Sequence, residues 1–180
     1  RPAPPAATPA SRAAAGDARP AAAQSSPAGD GRAERDAFNR ESQRLALTRD
    51  WNALSNLLKN ALENAAWAKP SEVRTTLLSD LARLYRDRLN DAAGAEAQMR
   101  KLHELAPSNP EALDYLTARY RERADWRALF DLKSNAIEAT WDPRLRVEWT
   151  REAAALASDQ LRSPELVIDA WERLYRLGDA

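Results

Sequence analysis

Few side chains in this chain have the type and spacing to do chemistry, and those few lack partners. His103 is the single histidine. A general base needs a nucleophile or proton donor in reach, and the sequence around His103 names none. With one histidine and no cysteine, a His-rich site, a thiolate metal site and a disulfide frame are all excluded. Acidic residues recur at helical spacing, as in Asp80, Asp87 and Asp91, or Glu148 and Glu152. A two-carboxylate hydrolase must hold its acids across a cleft. Acids one or two turns apart on one helix more often form a solvated face, balanced here by Arg83, Arg86 and Arg151. Neither a D-x-D-x-D-G calcium loop nor a G-x-x-x-x-G-K phosphate loop occurs. The chain therefore reads as no enzyme, with no cofactor, no metal and no small-molecule substrate.

Arginine is the remaining chemistry. It clusters at Arg83, Arg86 and Arg88, and again at Arg119, Arg121 and Arg123. Such clusters suit phosphates or carboxylates. Acids interleave both clusters, and Lys+Arg equals Asp+Glu over the 180 residues. A dedicated nucleic-acid or membrane-surface binder shows basic excess, so nucleic acid is the rival reading rather than the first. No apolar run approaches the ~18 residues of a membrane span. Position 1 is Arg, which reads as a processed product or an excised fragment. A lost upstream signal or anchor would be compatible with that. The compartment is left open, the cytoplasm being slightly favoured.

These residues must be positioned by helices, because no run of alternating β-branched residues argues for strands. Residues 1–33 hold six of the eleven prolines and no Leu, Ile, Val, Met or aromatic residue. With nothing to bury against the entropy of ordering, they read as a disordered Ala/Pro-rich linker, with Pro20 and Pro27 interrupting any long helix. Residues 34–180 read as an all-α helical repeat domain. Asp50-Trp51-Asn52-Ala53-Leu54 returns as Asp125-Trp126-Arg127-Ala128-Leu129, 75 positions later. Residues 100–105 echo in 172–177. Sliding by 35 sets Leu81 on Leu116, Tyr85 on Tyr120 and Arg86 on Arg121. Asn109-Pro110, Asp142-Pro143 and Ser163-Pro164 each place a cap before a proline at the first helical position. Gly178 reads as a stop.

Hairpins are expected at about 35–69, 75–109, 110–141 and 146–180. The second helix of the first covers 51–67. Trp51, Trp126 and Trp171 are expected to face the seam between hairpins, and Trp67 and Trp141 either to plug gaps or to stand exposed. By its match to Tyr175, His103 is expected at a partly exposed position.

Leu78, Leu81, Ala82, Tyr85, Ala95, Met99 and Pro107 make residues 75–109 resemble the tetratricopeptide repeat, a hairpin of about 34 residues. Leu102 is larger than the family's usual Ala, and one residue is extra near Leu89. The resemblance implies a right-handed α-solenoid of about four hairpins that acts as a non-enzymatic protein–protein interaction scaffold. It implies a groove lined by the first helices, binding a protein or peptide partner. Its positions would be Thr76, Ser79, Asp80, Arg83, Arg86 and Asp87, then Glu111, Asp114, Ala118, Arg121 and Glu122. The last hairpin would add Glu148, Arg151, Glu152, Ala155, Ser158 and Asp159. Arg86 and Arg121 would stack along it, unless salt bridges to Asp114 and Glu122 occupy them. The Lys/Asn clamp that one subgroup uses on chaperone C-termini is absent, since its positions here are Ser79, Arg83, Asp114, Thr117 and Ala118. A regulatory adaptor of an enzyme complex is a third reading. The chain stops without the polar capping helix such arrays need, so the expectation is that either more repeats follow or this end docks on another subunit.

Overall fold

The computed structural model describes residues 27–69 and 71–178. Among them are eight α-helices and no strand: α1 (Pro27–Thr48), α2 (Trp51–Asn64), α3 (Ser71–Asp87), α4 (Ala92–Leu105), α5 (Pro110–Glu122), α6 (Trp126–Ala139), α7 (Pro143–Asp159) and α8 (Pro164–Gly178). A 3-10 turn, Ala66–Ala68, follows α2. Pro27 opens α1 instead of interrupting a helix. At the first helical position its missing N–H costs nothing. Residues 27–33, assigned to the tail by composition, are thus helical, and residues 1–26 lie outside the described residues.

A left-handed residue before the next helix recurs four times, the following N–H reaching back five residues after Arg49 and Ala124 and six after Asn90 and Arg162. Arg49, Asn90, Ala124 and Arg162 have φ of 58°, 52°, 54° and 51°. Each is followed by a helix cap. Asp50, Asp91 and Asp125 accept a hydrogen bond from the N–H three residues on, at 3.0, 2.8 and 3.1 Å, and Ser163 does the same to Leu166 at 3.4 Å. The N–H of each cap residue reaches back to a carbonyl of the preceding helix: Leu45, Tyr85, Tyr120 and Ala157. Those four carbonyls, and the four caps, put all the helices in one register. The expected caps Asn109 and Asp142 are also present, on Ala112 and Arg144. Asp50 and Asp125 were visible only as an echo of one another, and Asp91 only as one of the recurring acids.

Packing runs along the chain. Each helix contacts chiefly its sequence neighbours, and among α-helices two apart only α6 and α8 make substantial contact. Leu78, Met99, Leu102, Leu116 and Leu129 form one buried cluster through α3–α6. Leu58, Leu77, Leu81 and Leu84 join α2 to α3, and Phe130, Ile137, Ala153 and Ala157 join α6 to α7. Tyr85 and Tyr120 are buried at matching places.

The tryptophans divide. Trp51 and Trp126 are half-buried against these clusters. Trp171 instead faces solvent. Trp67 lies in the 3-10 turn, outside α2, because α2 ends at Asn64, and its ring packs 4.8 Å from that of Phe38. Trp141 is 90% exposed and plugs nothing. On α1, Leu45 is buried and Leu47 is exposed.

Candidate binding groove

One groove reached by the expected site residues lies between α1 and α3, with α2 as its floor. Its volume is about 670 Å³. Leu54 and Leu58 of α2 and Leu77 and Leu84 of α3 make the apolar bottom. Phe38 and Ser42 of α1 form one wall, and Asp80, Arg83, Asp87 and Arg88 line the other. The division follows from helical periodicity: residues 77, 81 and 84 point inward on α3, so 80, 83 and 87 fall on the flank. Arg88 stacks its guanidinium over Trp51, 5.1 Å from the ring centroid, at a distance where a cation–π attraction operates.

The charged wall is internally wired. Arg83 grips Glu111 of α5 with both fork nitrogens, Nε at 2.7 Å and Nη2 at 2.8 Å. Ser79 donates its hydroxyl to the same carboxylate. Arg86 donates to Asp87 from Nε at 2.7 Å and Nη2 at 3.0 Å. These hydrogen bonds hold Glu111 and Asp87 below the usual carboxylate range, the bonds from Arg83 and Arg86 being the largest causes. Asp80 differs. Burial pushes its carboxyl up, Arg83 opposes that, and Glu111 adds to it. The wall therefore presents one carboxyl with reduced preference for charge, between acids that are firmly ionised.

No protein-family model matches this chain, and no curated protein does.

The expected residues divide. Asp80, Arg83 and Asp87 line the groove, and Arg86 stands beside them on Asp87. Asp114, Arg121 and Glu122 are exposed on α5, outside it. The bridges foreseen for Arg86 and Arg121 do not form: Glu122 pairs with Arg119, and Arg121 has no ion pair among the described residues. Arg83 makes a cross-hairpin bridge instead, to Glu111. Arg151 lines a separate depression along α7 with Glu148 and Glu152, and Glu152 also binds Lys133 at 2.7 Å. Thr76, Ala118, Ala155, Ser158 and Asp159 are exposed and away from the groove.

Two features escaped the sequence. One is the contribution of α1: Phe38 and Ser42, four apart, were the signal, obscured by the polar residues around them. The other is Glu96, buried in α4 and held by Arg123 at 2.7 Å, by Arg100 at 2.6 Å and, at 3.8 Å, by Arg119. Two members of the second arginine cluster are thereby committed to an internal acid. His103 is buried rather than partly exposed. Burial lowers its pKa, against the Pro107 backbone and Glu104, and neither ring nitrogen has a hydrogen-bond partner. Among the described residues no His, Asp or Glu cluster is fit to hold a metal. No helix among them is long and apolar enough to cross a membrane.

Proposed function

We propose that the chain is a non-enzymatic protein–protein interaction scaffold of the tetratricopeptide type, its eight helices forming four repeats of a right-handed α-solenoid. The observation that carries this is the groove between α1 and α3, with an apolar floor and a charged wall. Such a floor takes one or two apolar side chains of a peptide, and the wall fixes its orientation through Arg88 and Asp80. The recurring turn supports the repeat reading. The rival, a nucleic-acid-associated repeat, is weakened by the pairing of Arg83, Arg86, Arg119 and Arg123 with acids, which leaves few guanidinium groups for phosphates.

Selection of a displayed random-peptide library against the chain tests the groove. Enriched peptides should bind at least about tenfold more weakly to Leu54→Glu and to Arg88→Ala, a loss of ~1.4 kcal/mol, and equally to Arg121→Glu. Enrichment of peptides indifferent to Leu54 and Arg88 would refute the groove assignment. Binding of single-stranded nucleic acid that weakens steeply with salt would favour the rival.

A further inference from the structure

The common register exposes an inequality among the even-numbered helices. Counting from the cap residue, positions five, eight and twelve fall on one face. In α2 they are Ser55, Leu58 and Leu62, in α4 Glu96, Met99 and His103, and in α6 Phe130, Lys133 and Ile137. All are buried except Leu62, which is half-buried. The next helix covers each face. Leu77, Leu81 and Leu84 of α3 cluster with Leu58. Arg119 of α5 and Arg123 just past its end reach Glu96. Glu152 of α7 binds Lys133, and Ala153 and Ala157 cluster with Phe130 and Ile137. In α8 the same positions are Ile168, Trp171 and Tyr175, and they are 57%, 44% and 73% exposed.

We propose that this face of α8 is a docking site for an amphipathic helix of a partner protein, with a stripe of small or aliphatic residues and Lys or Arg along one flank. The helical form follows from the three internal precedents, each an α-helix laid on the same three positions. The stripe follows from α3, α5 and α7, which present Leu and Ala there. The basic flank follows from Glu165 and Glu172, which border Ile168 on one side, stand exposed, and have no ion pair among the described residues. Aromatic residues on a rigid helix are the usual anchors of such contacts.

A second copy fits less well. Two α8 faces laid antiparallel would set the rows of Glu165 and Glu172 against each other. Stacking α8 on α1 of another copy would cover the Glu41–Arg44 ion pair, which costs its hydration. The site is separate from the groove between α1 and α3 and stands or falls independently of it.

The test is fluorescence anisotropy of two labelled helical peptides with the same Ala/Leu stripe, one flanked by Lys and one by Glu, titrated with the full chain. The Lys-flanked peptide should bind, and the Glu-flanked one at least about tenfold more weakly. Ile168→Asp, at an exposed position, should abolish binding with unchanged helical circular dichroism. Glu165→Lys with Glu172→Lys should invert the flank preference. Leu54→Glu, which spoils the groove, should leave this binding intact. Failure of both peptides, or a flank preference untouched by the double charge reversal, would overturn the proposal. Dimerisation of the free chain that Ile168→Asp removes would assign the face to a second copy and overturn the partner.

Discussion

The first and last of the described helices differ in the outward face they present. Counting back from the carbonyl that receives the cap N–H, α3 turns Leu77, Leu81 and Leu84 toward α2, and α5 turns Ala112, Leu116 and Arg119 toward α4. The same places on α1 hold Ala37, Glu41 and Arg44, with Thr48 one turn on. No helix among the described residues precedes α1, and Glu41 and Arg44 satisfy each other. At the other end α8 presents Ile168, Trp171 and Tyr175 to solvent. A helical array needs a polar outer face where it meets water. Among the described residues, that face is polar at α1 and apolar at α8.

The comparison can be broken most directly at equivalent residues. Phe130→Ala removes a side chain that α7 covers and should cost ~3–5 kcal/mol in urea unfolding. Ile168→Ala, at the same register position on α8, should stay within ~1 kcal/mol. Comparable losses would mean that α8 is covered in solution. Glu41→Leu with Arg44→Leu should make the outward face of α1 apolar. The variant is expected to keep its fold and to self-associate in sedimentation velocity, and a monomer at all concentrations would show that face polarity does not distinguish the ends.

His103 sharpens the contrast with Tyr175, its counterpart on α8. Its folded pKa is lowered, so between that value and the ordinary ~6.5 the unfolded chain binds more protons. The stability it contributes is complete above ~6.5 and declines as pH falls through that window. His103→Leu should remove this part of the pH dependence, and an unchanged slope would show that carboxylates produce it. The smallest effect concerns the turns. Ala124→Gly relieves a left-handed alanine, worth ~1–2 kcal/mol, against ~0.5–1 lost to glycine's unfolded-state freedom. A slight rise in melting temperature should follow, with none for Asn90→Gly, because asparagine already tolerates that conformation.

These contrasts also show what the sequence made legible. The period, the helical class and the three proline-linked caps could be read from Asp50 and Asp125, Leu81 and Leu116, and Asn109-Pro110. What could not be read was which amphipathic faces acquire a neighbour. Trp171 and Met99 occupy equivalent positions, and an apolar residue there looks the same whether or not a helix lies on it. Matching His103 to Tyr175 failed for that reason: the residues correspond, but α4 lies between α3 and α5, and α8 has one flank open. In the groove, the flank residues Asp80, Arg83 and Asp87 followed from periodicity on α3. Asp114, Arg121 and Glu122 did not join them because lining this groove requires facing α1, and α5 is one hairpin further along.

Packing between sequence neighbours has a kinetic consequence. Every interface closes a short loop, so the entropy of bringing its sides together is small, and chains built this way fold fast for their length. The same locality makes opening piecemeal. Peeling away α8 breaks its contacts with α7 and the lesser ones with α6, and no others of note. Amide hydrogens of α8 should therefore exchange well before those of α4 and α5, and a ligand held on α8 would show itself first as slower exchange at that end.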